Sequence, residues 1–246
     1  MWITFNRPQA RNAMKLMMYE RLLELCAEIN GDDELRAVVL TGAGDKAFIA
    51  GTDISEFDAF KKPEDALDYE HNIHNVIEQL EAIRIPLIAA VRGACTGGGM
   101  SIATACDLRI ATPSSRFGFP VARTLGNCLS VANYARLVDI VGPTAVKEMV
   151  YLAALIDARR ALDLGYLNEV LPSEDGLSER ATEIAETIAQ NAPLTIRATK
   201  EALRRITNEG RGAEDRDLIL SCYMSDDFRE GMKAFFEKRP ANWTGR

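Results

Sequence analysis

The chain is short of several things, and each shortage narrows what it can be. It has no basic excess: 29 Lys and Arg stand against 36 Asp and Glu, a formal charge of -7. A general nucleic-acid binder carries the opposite balance, although a local basic patch for a phosphorylated ligand fits inside an acidic total. No apolar run approaches the ~18 residues of a membrane span, and the opening stretch from Met1 to Met14 has no apolar h-region. No nucleic-acid or membrane partner is therefore expected. No Cys-x-x-Cys pair occurs, and Cys26, Cys95, Cys106, Cys128 and Cys222 are odd in number and widely spaced. That pattern reads as reduced, mostly buried thiols in a cytoplasmic protein. The only histidines are His71 and His74. Their spacing on a predicted helix can ligate a metal, but no Cys or carboxylate cluster completes the set. No metal is expected, and the two side chains read as solvent-facing or pocket-rim groups, with work on a substrate the alternative.

What is present is ordinary core material: 47% of the 246 residues are hydrophobic and 26% charged, enough for one large domain. Trp2 to Phe5 looks like the end of a strand. Met14, Met18, Leu22, Leu25 and Ile29 form one face of a helix closed by Gly31. Strands are predicted at Arg36 to Thr41, Pro86 to Val91, Leu108 to Ala111 and Arg116 to Phe119, with a last one from Leu167 to Leu171. Asp53, with Glu56 three residues on, has the capping-box pattern, so both read as helix cap before catalytic acids. Helices are expected from Pro63 to Ile83, from about Ser130, between Asp157 and Gly165, and over 176–190, 193–208 and 213–238. Alternating strands and helices followed by a helical tail indicate an α/β fold. We divide it into a core over 1–190 and a C-terminal helical region over 191–246.

Two strands end in glycine turns ahead of helices: Phe48-Ile49-Ala50-Gly51-Thr52-Asp53-Ile54 and Thr96-Gly97-Gly98-Gly99-Met100. Glycine lets backbone approach a ligand closely, and a helix N-terminus offers unpaired N–H groups. A pair of such turns on neighbouring strands can aim N–H groups at a single oxygen. Gly42-Ala43-Gly44-Asp45-Lys46-Ala47 also fits the dinucleotide fingerprint, but that motif needs a helix at once. The residues that follow, Phe48-Ile49-Ala50-Gly51, have no helical period.

The order of these features resembles the crotonase superfamily, the enoyl-CoA hydratase/isomerase family, over nearly the whole chain. The resemblance is carried by Asn6-Arg7-Pro8 with Asn12-Ala13, Val39-Leu40-Thr41-Gly42, Phe48 to Ile54, Pro86 to Gly93, Gly97 to Gly99 and Cys106-Asp107. Glu230-Gly231-Met232 and Phe236-Glu237-Lys238-Arg239 add to it in the tail. The family usually has about one more strand at the start. The resemblance implies a crotonase (ClpP/crotonase-like) fold of repeated ββα units. It implies an acyl-CoA thioester as partner and no cofactor beyond the CoA moiety. It also implies assembly through the C-terminal region as a trimer or a pair of trimers. The backbone N–H groups of Thr52 and Gly98 would form the oxyanion hole, with Ala50, Thr52, Ile54, Gly97 and Gly98 lining the ligand.

Two glutamates that hold water in family hydratases have no acidic counterpart here. The first position is Ser101; the second is Val121, or Ala122 if a one-residue length difference falls earlier. Water addition needs a general acid and base near the reacting carbons, so hydration itself is in doubt. The acid that other members place in the next loop is replaced by Leu129-Ser130. Ser101 can orient a water or simply be a small helix residue. Arg123 can bind a substrate carboxylate or face solvent, and Lys46 can approach a CoA phosphate or be a plain surface lysine. Cys128 has no histidine nearby to activate it. The expected function is acyl-CoA chemistry through a stabilised thioester enolate; a non-catalytic acyl-CoA-binding or assembly subunit is the alternative.

Overall fold

The structure, a computed structural model, describes residues 1–210 and 213–246. Its strands are β1 (Trp2–Phe5), β2 (Val38–Gly42), β3 (Ala47–Ile49), β4 (Leu87–Val91), β5 (Ala94–Thr96), β6 (Leu108–Ala111), β7 (Arg116–Gly118), β8 (Ile156–Asp157) and β9 (Glu169–Val170). Its α-helices are α1 (Leu16–Gly31), α2 (Pro63–Glu81), α3 (Gly98–Ala105), α4 (Val121–Thr124), α5 (Val131–Tyr151), α6 (Ala158–Asp163), α7 (Leu177–Ala189), α8 (Pro193–Glu209), α9 (Arg216–Tyr223) and α10 (Asp226–Glu237).

A five-stranded parallel sheet runs β1-β2-β4-β6-β9. Its inner strands β2 and β4 are covered on both faces, which is why they read as apolar runs, while the edge strand β1 exposes Trp2 and Thr4. Side chains alternate between the faces: Val38 and Leu40 join a core with Tyr19, Leu22, Val76 and Leu80. Val39, Ile88 and Ala90 pack under Leu177 and Ala181 of α7 instead. The second sheet runs β3-β5-β7-β8, parallel except for its last pair. The pairs β2/β3, β4/β5 and β6/β7 each give one strand to either sheet before a helical segment follows. This is the expected ββα repeat. Because β3 and β5 are adjacent and parallel, the turns that leave them emerge side by side.

Several sequence expectations need correction. The fully buried face of α1 is Tyr19, Leu22, Cys26 and Ile29, while Met18 and Leu25 are only partly buried. β3 and β5 lie within segments that had looked like turns, and β8 was missed. Asp53 caps a 3-10 helix (Ile54–Ala59) by accepting from Ser55 N, and Glu56 Oε2 instead faces Leu16 N at 3.5 Å, so there is no capping box. The stretch 213–238 is two helices, because Ser225 Oγ accepts from Phe228 N at 2.9 Å and starts α10 anew. No helix begins near Gly44; β3 follows at Ala47, which removes the dinucleotide reading.

Candidate functional site

The first glycine turn is held by the chain's opening segment. Asn12 is fully buried and donates to the carbonyls of Ala43 (2.9 Å) and Ala47 (2.7 Å), while its Oδ1 accepts from Arg7 N at 2.9 Å. Arg7 in turn donates to Ala13 O and pairs with Asp53 at 2.9 Å. Hydrogen bonds from Ser55 first, and then from Arg7, hold the Asp53 carboxyl below its ordinary pKa. Met14 clamps the turn from both sides: its N–H donates to Gly51 O and its carbonyl accepts from Asp53 N, each at 2.8 Å. Between these two anchors the N–H of Thr52 donates to no group among the described residues.

The second turn leaves β5 through Gly97, whose φ of 53° strains any residue with a side chain. Gly97 N donates to Gly118 O at 3.1 Å. Gly98 is the first residue of α3, and its N–H also lacks an acceptor among the described residues, as helix geometry dictates. A Cβ on Gly97 would stand 3.4 Å from Gly51 Cα, so the two turns touch. Two free N–H groups thus stand on abutting turns, one at the positive end of a helix dipole. Such a pair can stabilise negative charge on one oxygen.

Side chains that were not singled out from the sequence surround this pair. Thr52 Oγ1 lies 2.9 Å from Tyr19 Oη of α1 and 2.7 Å from Tyr69 Oη of α2. Gly98 lies against the same group, since a Cβ there would run into Tyr19 Oη. Burial raises both phenol pKa values, that of Tyr69 to about 12, so both stay protonated across the physiological range. Phe57 and Phe60 pack on the Tyr69 ring at 5.1 and 5.8 Å between centroids. The residue that follows Tyr69 in α2 is Glu70. It is partly buried, its pKa is raised by that burial, and its charge opposes ionisation of both phenols. The one advance signal was Tyr19 falling in phase with Leu22, Cys26 and Ile29. Nothing local marks Tyr69.

The remaining candidates are more scattered. Ala50 keeps only its carbonyl free, its N–H being taken by Arg11 O at 3.0 Å. Ile54 is exposed at the start of the 3-10 helix. Ser101 is buried in α3, one helical turn from Gly97, whose carbonyl accepts its N–H at 3.1 Å. Val121, partly buried, opens α4; Arg123 is exposed in the same helix and forms no ion pair among the described residues. Lys46 is exposed just before β3, at the opposite end of that strand from Thr52. Cys128 is exposed, His71 is exposed, and His74 pairs with Glu78 at 3.0 Å. The described residues contain no group of three or more potential metal-binding side chains. No helix among the described residues is long and apolar enough to cross a membrane.

Comparison with known proteins bears on the family and the fold. The sequence profile of the family described as enoyl-CoA hydratase/isomerase matches residues 1–246. A short-chain-enoyl-CoA hydratase of Clostridium acetobutylicum is 37% identical over 241 residues, 96% of this chain and 91% of that protein. A crotonyl-CoA hydratase of Syntrophomonas wolfei is 34% identical over 248 residues, 98% and 93% of the two chains. Among solved structures, an enoyl-CoA hydratase/carnithine racemase from Magnetospirillum magneticum superimposes with a TM-score of 0.92 at 31% identity. The match covers 100% of this chain and 92% of that one. The enoyl-CoA hydratase of Bacillus anthracis gives 0.90 at 32% identity, over 100% and 95%. With profile, relatives and fold in agreement over essentially its full length, the chain belongs to the enoyl-CoA hydratase/isomerase family and has the crotonase fold.

Proposed function

We propose that this enzyme binds an acyl-CoA thioester and holds its carbonyl oxygen between the N–H groups of Thr52 and Gly98, stabilising an enolate or oxyanion. The observation that carries this reading is the pair of unpaired N–H groups on abutting turns. One such donor is worth roughly 10²–10³ in rate. The relatives named as hydratases of short-chain enoyl-CoA and crotonyl-CoA support enoyl thioesters as the substrate class. Ser101 and Val121 cannot ionise, so hydration, and equally isomerisation, decarboxylation or thioester hydrolysis, would draw on polar groups outside these two positions. Ala50, Ile54 and Gly97 would line the pantetheine path, Val121 the acyl group, Arg123 a substrate carboxylate and Lys46 a CoA phosphate. No cofactor beyond the CoA moiety is required. The exposed Phe235 and Phe236 of α10 support assembly as a trimer or pair of trimers through the tail.

The missing acids alone favour a second reading, an acyl-CoA-binding or assembly subunit without turnover. Saturated, enoyl and carboxyacyl-CoA thioesters would be followed by mass spectrometry, with calorimetry in parallel and crotonyl-CoA as the central case. Turnover of one class, abolished by Gly98→Pro, is expected. Binding without turnover across the panel would favour the second reading, and absence of any CoA binding would overturn both. Rapid hydration of crotonyl-CoA would show that the doubt about the acids was misplaced.

A further inference from the structure

The hydroxyl groups beside the oxyanion pair form a chain whose direction is set by burial. Tyr19 is 3% exposed, and its Oη has one hydrogen-bond partner among the described residues, Thr52 Oγ1. A buried O–H without an acceptor is costly, so the Tyr19 proton points at Thr52. Thr52 Oγ1 then accepts from Tyr19, and its own proton needs an acceptor. The other partner is Tyr69 Oη at 2.7 Å. Thr52 therefore donates to Tyr69, and the Tyr69 proton, which has no acceptor among the described residues, is directed away from the chain of hydroxyls. The reverse order would strand the Tyr19 proton inside the core. Acceptance by Thr52 from both phenols would strand its own.

Tyr69 is thus the terminal donor, and it is partly exposed where Tyr19 is not. Its Oη lies one hydrogen bond and one threonine side chain away from the free N–H of Thr52. Two upstream O–H dipoles polarise it further, and the flanking Phe57 and Phe60 rings fix its orientation. We propose that Tyr69 Oη is a third, side-chain donor to the thioester oxygen, with Tyr19 as the positioning residue that orients the relay through Thr52. The proposal rests on the reading that the Thr52 and Gly98 N–H groups hold that oxygen. Burial keeps Tyr69 protonated, so it can donate throughout the physiological pH range.

The test uses the full-length protein with [1-¹³C]butyryl-CoA and reads the labelled thioester carbonyl by difference infrared spectroscopy, a signal that needs no turnover. In the unmodified protein the bound carbonyl band should move to lower wavenumber. Tyr69→Phe should lose about a third of that shift, with affinity by calorimetry falling roughly three- to tenfold. Thr52→Val keeps the backbone N–H and Tyr69 Oη but cuts the relay, so it should lose a smaller part of the shift, and nothing further once Tyr69 is Phe. A Tyr69→Phe protein that keeps the whole shift overturns the proposal. If that variant does not fold, as read by circular dichroism, an undiminished shift in Thr52→Val overturns it equally. A bound carbonyl with no shift in the unmodified protein would instead sink the two-N–H reading beneath it.

Discussion

A methyl group added at Gly98 would collide with Tyr19 Oη and stand 3.5 Å from Thr52 Oγ1. Gly98→Ala should therefore displace the relay and the free N–H together, lowering thioester turnover about 10²-fold or more. Gly31 has nothing within 4 Å of such a methyl and ends α1, so Gly31→Ala is the matched control and should leave turnover unchanged. Steady-state rates on one reactive thioester decide between these outcomes. Asn12→Ala strips two buried carbonyls of their donor and should cost about 2–3 kcal/mol in urea denaturation. At this scale the sequence was half legible. The two glycine turns could be named because glycine and helix-start chemistry are local, whereas Thr52 and Gly98 as the donors were implied by the family resemblance. Tyr69 could not be named, because it lies 17 positions from Thr52 and reaches it only through the packing of α2.

Longer elements were readable wherever a single physical rule governs them. β4 is a continuous apolar run, and α2 carries Ile73, Val76, Ile77 and Leu80 at spacings of three, one and three on one face. β3 and β5 were not readable, each being three residues whose strand character comes from parallel pairing with each other. The break between α9 and α10 depends on one serine choosing to cap, which competes with a helical pattern on both sides. The tail elements are tied by ion pairs that titrate. Arg239, assisted by the Asn242 N–H, holds Glu230 at about 2 against an ordinary 4.5, and Arg205 holds Asp217 at about 2 against 3.8. Both folded values lie below the unfolded ones, so the unfolded chain binds more protons and stability rises with pH in this window. The contribution is complete above about pH 4.5 and disappears as pH falls through about 2. It is modest, because solvent screens these side chains. Trp243 fluorescence in a Trp2→Phe background should report loosening of the tail over that range, and Glu230→Gln should shrink the acid-dependent change.

For the molecule as a whole, the two sheets grow together, one strand each per repeat, and the site lies where two successive repeats abut. The exposed Phe235 and Phe236 set an expectation at this scale. Replacing both by Ser should shift the protein toward monomer in analytical ultracentrifugation if the tail carries the assembly, while an unchanged mass would assign those rings another purpose. The contact between Gly51 and Gly97 has a further consequence, which concerns inheritance more than geometry. The two donors proposed to polarise a thioester are peptide N–H groups, and no codon spells out a peptide N–H. Most single substitutions around them can delete an acid, install a phenol or exchange a lining residue while the donor pair survives. Binding and chemistry are thereby written in separate parts of the sequence, so a chain with Ser101 and Val121 can keep the cradle while the reaction performed in it changes.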